Sequence, residues 1–241
     1  SGTIKLNSSG TAYGMYGSGG AKLTNNSSIN GKAENAYGMY GSNMTNAGTI
    51  SITGTGTGAS YGMRSTGGTV SNTGQIEVTA SQGYGISLTG SGTATNLGTI
   101  TVTGTGSDTS YGMYGSGGAK LINNGTINVN STSGTAVGMY ATGSGSSITN
   151  TANIVLNGVS ITTDYSGISS SDDPDTDATN CTSAGCGNFI KVENGATFHN
   201  NGQVSSASAI NFNVMSAANT GTIMLARGGS FEAPEISGEI T

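Results

Sequence analysis

The sequence predicts an all-β fold, a right-handed parallel β-helix (solenoid) of about nine to ten coils with three short strands in each coil. Three observations lead to this prediction. An isoleucine recurs about every 24 residues, an asparagine stands four positions before it, and a glycine usually stands two positions before it. A fixed period of this length is typical of a chain that stacks one structural unit on the next.

The isoleucine column aligns the repeats. Its members are Ile4, Ile29, Ile50, Ile76, Ile100, Ile127, Ile154, Val204, Ile223 and Ile240. The residue two positions later is usually apolar, as in Ile127 and Val129, so both side chains point to one face of a strand. The interval between Ile154 and Val204 is much longer than the others and indicates an insertion.

The asparagine column predicts a structural ladder of side-chain hydrogen bonds from coil to coil. Its members are Asn25, Asn46, Asn72, Asn96, Asn123, Asn150, Asn200 and Asn219. The Asn-x-Gly step at 123–125 predicts a turn, because asparagine and glycine both tolerate positive φ angles. Stretches of variable length rich in Gly, Ser and Thr, such as 103–110, are predicted loops on one edge of the solenoid.

A Tyr-Gly-Met strand and an Ala-x-Leu strand are predicted to form the other two sides of each coil. Alternation predicts that the columns beginning at Tyr13 and Met15 face the core, because valine and isoleucine also occur in them. The columns beginning at Gly14 and Tyr16 then face solvent. One flank therefore carries a broken row of exposed tyrosines, which are candidate ligand-binding residues: Tyr16, Tyr40, Tyr114 and Tyr140.

Three segments are predicted: a solenoid over residues 1–225, an inserted loop at 169–188 within it, and an irregular last coil or capping segment at 226–241. The insertion lacks an Ile-x-Val strand, which favours a loop over a degenerate coil. It contains four acids that are also candidate ligand-binding residues: Asp172, Asp173, Asp175 and Asp177.

The insertion also contains the two cysteines of the chain, Cys181 and Cys186. Two thiols with four residues between them can close a small loop, so we predict a disulfide, as is common in secreted repeat proteins. A two-ligand metal site or a redox pair is the alternative. The acidic run lacks the glycine and terminal glutamate of a calcium loop, so a solvated acidic loop is favoured over weak calcium binding. No metal site and no cofactor is predicted.

Composition argues against several classes of function. The net charge is −5 and no basic patch is present, which argues against nucleic acid as a partner. No apolar run reaches the roughly 18 residues of a membrane span, so direct membrane insertion is not expected. The acids outside the insertion are scattered, whereas glycoside cleavage needs two facing carboxylates, so no catalysis is expected.

The repeats resemble the passenger domains of monomeric (type V) autotransporters of Gram-negative bacteria, of the adhesin type. The resemblance rests on the Asn-x-Gly-Thr-Ile-x-Val units, as at 123–129, and on the Val-Gly-Met-Tyr unit at 137–140, and it covers nearly the whole chain. It implies a cell-surface, outer-membrane-anchored or secreted protein that acts in cell adhesion and virulence. It also implies export through a C-terminal β-barrel outside this chain.

These observations together predict a surface-exposed adhesin segment. The expected partner is a host-cell receptor, a glycan or another copy of the chain on a neighbouring cell. The first alternative is a purely structural β-helix spacer of a larger surface protein. The second is a polysaccharide-processing β-helix enzyme, which we weighed because many parallel β-helices cleave polysaccharides.

Overall fold

The fold is an all-β parallel solenoid built from three sheets. The structure, a computed structural model, describes residues 2–157 continuously and, beyond them, the short strands between residues 188 and 240. No helix occurs among these described residues. Their strands, in chain order, are β1 (Thr3–Asn7), β2 (Thr11–Tyr16), β3 (Lys22–Asn25), β4 (Ser28–Ala33), β5 (Asn35–Tyr40), β6 (Asn43–Asn46), β7 (Thr49–Gly54), β8 (Ala59–Ser65), β9 (Gly68–Asn72), β10 (Gln75–Ala80), β11 (Gln82–Thr89), β12 (Gly92–Asn96), β13 (Thr99–Gly104), β14 (Ser110–Ser116), β15 (Ala119–Asn123), β16 (Thr126–Ser131), β17 (Ala136–Thr142), β18 (Ser147–Asn150), β19 (Asn153–Asn157), β20 (Asn188–Glu193), β21 (Thr197–Asn200), β22 (Gln203–Ser206), β23 (Ile210–Val214), β24 (Ala217–Asn219), β25 (Thr222–Ile223), β26 (Ser230–Glu232) and β27 (Glu239–Ile240).

From β1 to β26 the strands join sheets A, B and C in turn, so every third strand joins the same sheet, and β27 then joins sheet A directly after β26 of sheet B. Sheet A has the order β1-β4-β7-β10-β13-β16-β19-β22-β25-β27. Sheet B has the order β2-β5-β8-β11-β14-β17-β20-β23-β26, and sheet C has the order β3-β6-β9-β12-β15-β18-β21-β24. All described pairings are parallel. The three predicted strand types therefore form three separate sheets, and the predicted fold class is confirmed.

The number of coils differs slightly from the prediction. The continuously described residues 2–157 make about 6 turns, whereas the sequence predicted nine to ten coils for the chain. The strands beyond residue 157 extend the sheets further, so that sheet A reaches ten strands. The right-handed sense, which the twist of parallel strands favours, stays a prediction.

The isoleucine column is confirmed by the strand register. Ile29 pairs with Ile4 on one side and with Ile50 on the other, and the same residue type continues along sheet A. At the far end Ile223 pairs with Val204 and Ile240. From Ile29 to Ile154 the column is fully buried, whereas Ile4 is 37% exposed because the first rung is covered on one side only.

The core is a narrow stack of apolar columns, one set from each sheet. Beside the isoleucines, sheet A contributes its second inward position, as in Val78 and Val102. Sheet B contributes a methionine column, and sheet C contributes a mixed column that includes Leu121 and Ile148. Burying an aliphatic side chain of this size contributes about 1.5–3 kcal/mol. Because every rung repeats this burial, the thin core stabilises the fold with fewer apolar residues than one large core would need.

The corner between sheets C and A differs from the prediction in one respect. The glycines at this corner, such as Gly74 and Gly98, do not adopt positive φ angles. A Cβ on Gly98 would instead overlap with the backbone oxygen of Gly74 in the preceding rung. Glycine is favoured at such positions because stacked backbones approach closely, and not because of the turn conformation, although Ser27 and Ala152 fill the same column in two other rungs.

The asparagine column lies at the same corner and forms a continuous side-chain ladder. The Nδ2 atom of Asn46 donates to Oδ1 of Asn72 at 2.8 Å, and Asn72 donates to Asn96 at 2.8 Å. The same bond joins Asn25 to Asn46, Asn96 to Asn123 and Asn123 to Asn150. Asn200 and Asn219 continue the column in the strand register.

The strand that follows the predicted insertion continues sheet B. Strand β20 pairs directly with β17, although residues 158–187 separate it from β19 in sequence. The predicted loop 169–188 lies outside the described residues, except that Asn188 begins β20. Strands β26 and β27, in the predicted capping segment 226–241, add to sheets B and A. The boundary at residue 225 stays a prediction.

Candidate functional site: the tyrosine face

The outer surface of sheet B is shaped by an irregular step in each strand. In β8, Ser60, Gly62, Met63 and Ser65 are buried, whereas Tyr61 is partly exposed. The glycine and the methionine are consecutive and both buried, so strict alternation fails between them. A Cβ added to Gly62 would overlap with Cγ2 of Ile76 in sheet A. Only glycine therefore fits this inward position.

This step overturns the predicted orientation of two columns. The column that begins at Tyr13 was expected in the core, and the structure places its rings on the outer surface, where Tyr13 is 44% exposed. The glycines between tyrosine and methionine were expected to face solvent, and from Gly38 onward they are buried. The prediction of a core-facing methionine column was right, since Met39, for example, is fully buried.

The first tyrosine column is a stack of five rings in neighbouring rungs. Its members are Tyr13, Tyr37, Tyr61, Tyr84 and Tyr111. Their ring centroids are 4.7, 5.0, 4.7 and 4.9 Å apart, close to the ordinary spacing of strands. The planes differ by 18–26°. The column ends where Val137 pairs with Tyr111.

The second tyrosine column runs beside the first and contains the predicted tyrosines. Its members in register are Tyr16, Tyr40, Arg64, Ser87, Tyr114 and Tyr140. The rings of Tyr16 and Tyr40 are nearly parallel at 5.5 Å, and those of Tyr114 and Tyr140 are parallel at 5.0 Å. Rings in different columns of one strand meet edge to face, as Tyr37 and Tyr40 do at 77°. We call the two columns together the tyrosine face.

The exposure of the second column varies along the solenoid. Tyr16 is 60% exposed, and Tyr40 and Tyr114 are partly exposed. Tyr140 was predicted to be exposed, but it is only 8% exposed. Its ring packs against both Tyr114 and Tyr111, at 5.0 and 5.8 Å, and these contacts cover part of it. Tyr140 is therefore less available to a ligand than the other three candidates.

Arg64 occupies a position that tyrosine holds in most other rungs. Its guanidinium carbon lies 4.7 Å from the ring centroid of Tyr61 and 5.9 Å from that of Tyr37. Its Nη1 donates a hydrogen bond of 3.2 Å to the hydroxyl of Tyr37. A guanidinium over aromatic rings gains a cation–π attraction of about 0.5–2 kcal/mol. Arg64 therefore packs into the tyrosine face as a tyrosine would, and it adds a positive charge.

The close packing of the rings changes the ionisation of several side chains. Burial, with the neighbouring Tyr111 and Tyr61, raises the pKa of Tyr84 far above its usual value. Burial also raises the pKa of Tyr61 and of Tyr13. Burial lowers the pKa of Arg64, but Tyr61 and Tyr37 outweigh that effect, so the pKa of Arg64 is raised. The raised pKa values keep Tyr84, Tyr61 and Tyr13 neutral and Arg64 charged at physiological pH.

The other predicted site residues lie outside the described residues. These are Asp172, Asp173, Asp175, Asp177, Cys181 and Cys186. The disulfide and the acidic loop therefore stay predictions. Within the part of the chain that the structure describes, no cluster of three or more metal-ligating side chains is found.

Sequence reasoning found the second tyrosine column and missed the first. The signal that could have found it is the glycine between tyrosine and methionine, which recurs in every rung from Gly14 to Gly138. A glycine kept at one position of a strand indicates a close approach of another chain segment. The sequence predicted a broken row of tyrosines, and the structure shows that Arg64, at one of the breaks, contacts two rings.

Comparison with known families agrees with this architecture and defines a class of protein, the pectate lyase-like β-helix domains. The family described as "BigA third pectate lyase-like domain" matches residues 1–169. The chain belongs to this family. Neither a curated protein nor a solved structure matches the chain significantly.

The family match suggests a bacterial surface or secreted protein with a β-helix domain. The described residues include no helix that is long and apolar enough to cross a lipid bilayer.

Proposed function

We propose that this chain is a surface-exposed adhesin segment of a Gram-negative autotransporter. In this proposal it mediates cell adhesion or self-association by binding a host receptor, a glycan or another copy of itself. The tyrosine face is the contact surface. The observation that carries the proposal is the continuous stack of five tyrosines along five neighbouring strands of sheet B, with the exposed or partly exposed rings of Tyr16, Tyr40 and Tyr114 beside it.

Tyrosine is well suited to a contact surface. Its ring contributes a large area while only two side-chain torsions are fixed on binding. In the first column the torsions are already restrained by stacking, as Tyr61 is between Tyr37 and Tyr84. A ligand that binds there meets a surface that is ordered beforehand, so the entropic cost of binding is reduced.

The polar ends of the rings support the same function. Each phenol hydroxyl can both donate and accept a hydrogen bond. Among the described side chains, only one nitrogen of Arg64 is buried without a hydrogen-bond partner, so the tyrosine hydroxyls are either bonded or reachable by solvent. A strip that combines apolar ring area with hydroxyls fits polar partners such as glycans and protein surfaces.

Catalysis is not part of the proposal. Residues 2–157 contain three acids, Glu34, Glu77 and Asp108, and the first and the last of them are too far apart to act as a pair. Glu34 follows β4 and Asp108 follows β13, and these strands are three rungs apart in sheet A. Three rungs correspond to about 14 Å. Paired glycosidase carboxylates are separated by at most about 9.5 Å. A second candidate function is a spacer without a binding surface. The following experiment distinguishes it from the proposal, because a spacer would bind and associate equally well without the tyrosines.

The test is a triple variant, Tyr16→Ser, Tyr40→Ser and Tyr114→Ser. Serine is chosen because Ser87 occupies the same column, so the fold accommodates it. We expect binding of the chain to host cells, or its self-association, to weaken at least about tenfold, since contact tyrosines each contribute about 1 kcal/mol or more. Binding is measured by flow cytometry on host cells and self-association by analytical ultracentrifugation.

The matched control is Leu97→Ser, which removes another large exposed side chain, 52% exposed, from outside the tyrosine face. Circular dichroism should show the same β content in all variants. If the triple variant binds and associates like the original chain, the tyrosine face is not the contact surface and the spacer function is favoured.

A further inference from the structure

Arg64 is the one cation that residues 2–157 place in the tyrosine face. The neighbouring positions of its column are Tyr40 on one side and Ser87 on the other. A tyrosine at position 64 would continue the stack that Tyr16 and Tyr40 begin, so the fold does not require a charge there. The charge is therefore a feature of the surface that packing alone does not explain.

The charge of Arg64 is not neutralised by the described part of the protein. No acid is among the groups that perturb its pKa, all of which are tyrosines. Of its five N–H donors, the structure shows one in a hydrogen bond, from Nη1 to Tyr37, and Nε is buried without a partner. The buried Nε is out of reach of a ligand, and the remaining donors belong to the two Nη groups. An anionic ligand that reached the guanidinium would accept hydrogen bonds from these Nη groups.

The guanidinium is also held in place before any ligand arrives. The rings of Tyr61 and Tyr37 support it from below, and the hydroxyl of Tyr37 accepts its hydrogen bond. A planar guanidinium in a fixed position matches the two oxygens of a carboxylate. The flanking rings and hydroxyls match the apolar and hydroxyl faces of a sugar.

We propose that Arg64 and the tyrosines around it form a binding site for a sugar carboxylate, so that the tyrosine face binds glycans with isolated uronate or sialate groups. The proposal rests on the proposed adhesin function and names its ligand class. Isolated acids are specified because the chain has a net charge of −5, which repels densely charged polyanions.

The test uses two probes that represent the two sources of a sugar carboxylate. One is 3′-sialyllactose, and the other is a hyaluronan hexasaccharide, in which uronates alternate with uncharged sugars. Each is compared with its methyl ester, which has the same rings without the charge. Isothermal titration calorimetry with the 241-residue chain should show that at least one acid binds about tenfold or more tightly than its ester, because hydrogen bonds to charged groups are strong. This preference should shrink as salt is added.

Three variants separate the charge from the packing. Arg64→Tyr keeps an aromatic column and should abolish the preference for the acid over the ester. Arg64→Lys keeps the charge but lacks the planar fork, and it should retain part of the preference. Lys120→Gln removes an exposed charge from sheet C and should leave the preference unchanged.

Two results would overturn the proposal: neither acid binds better than its ester, or Arg64→Tyr binds the acids as the original chain does. The proposed adhesin function is tested separately, by the triple tyrosine variant. If the triple tyrosine variant loses adhesion while Arg64→Tyr adheres normally, the adhesin function stands and the carboxylate site is wrong.

Discussion

At the residue scale, two small residue types make close stacking possible. The corner glycines lack a Cβ where one rung touches the next, as Gly98 touches Gly74. The asparagines use their amide groups to join rungs, and each internal member donates to one neighbour and accepts from the other. Because these amides are buried, an unpaired one is costly, so the ladder favours the correct register of the rungs.

The replacement Asn96→Ala tests the ladder. It would leave the Nδ2 atom of Asn72 without its acceptor Oδ1 and the Oδ1 atom of Asn123 without its donor. Both atoms keep a second hydrogen bond, Nδ2 of Asn72 to the backbone oxygen of Gly74 and Oδ1 of Asn123 from the backbone nitrogen of Gly125. We therefore expect the free energy of unfolding to fall by about 1–3 kcal/mol, from two lost buried hydrogen bonds. Urea denaturation followed by circular dichroism measures it. Asn26→Ala, at an exposed position beside the ladder, should change stability by less than about 0.5 kcal/mol, and an equal loss in both variants would contradict this role.

At the scale of one element, sheet B combines a structural and a binding role. Its inner surface packs methionines into the core, and its outer surface presents the tyrosine face. The stacked rings of the first column shield one another, which is why burial and neighbouring rings raise the pKa of Tyr84. Ionised phenolates in adjacent rungs would repel each other at this spacing.

The raised pKa values predict a loss of stability in alkali. In the unfolded chain tyrosine ionises near pH 10. Folding raises the pKa of Tyr84, Tyr61 and Tyr13. The contribution of these neutral rings to the free energy of unfolding is therefore fully present below about pH 10 and is lost as the pH rises above it. The unfolding midpoint should therefore fall more steeply with pH above about 10 in the original chain than in Tyr84→Phe. Thermal melts between pH 8 and pH 11 measure this, and identical pH profiles would count against it.

At the scale of the whole molecule, the solenoid is a series of interchangeable rungs. Register partners such as Gln75 and Thr99 occupy equivalent positions in neighbouring rungs, so the segment 75–98 is one complete coil. Stability in such a stack comes from each rung and its contacts with the next rung. Removing one whole coil should preserve every kind of contact.

Deletion of residues 75–98 tests this modularity. The new neighbours Asn72 and Asn123 would continue the ladder, and the rod would shorten by about 5 Å. We expect a folded protein with the same type of circular dichroism spectrum and a shorter maximum dimension in small-angle X-ray scattering. Deletion of 75–86 removes half a coil, puts strands out of register and should unfold the chain. If both deletions unfold it equally, the rungs are not interchangeable.

The periodic features could be read from the sequence because each column repeats one physical requirement. A buried isoleucine and a buried amide recur at fixed spacing, so Ile100 and Asn96 could be placed without coordinates. The outward orientation of the Tyr13 column could not be predicted in this way, because the alternation rule assumes a regular strand and the glycine step breaks that rule. The burial of Tyr140 likewise depends on contacts between rungs.

The sequence by itself determined the parallel solenoid, its three strand types and the columns of the core, because stacking identical rungs demands the same residue type at each level. Only the tertiary structure decided which tyrosines face solvent and how Arg64 lies over Tyr61. The physical reason is that these arrangements depend on the approach of sheet A to the glycines of sheet B, as Ile76 approaches Gly62, and the alternation of side chains along a single strand does not describe a contact between sheets.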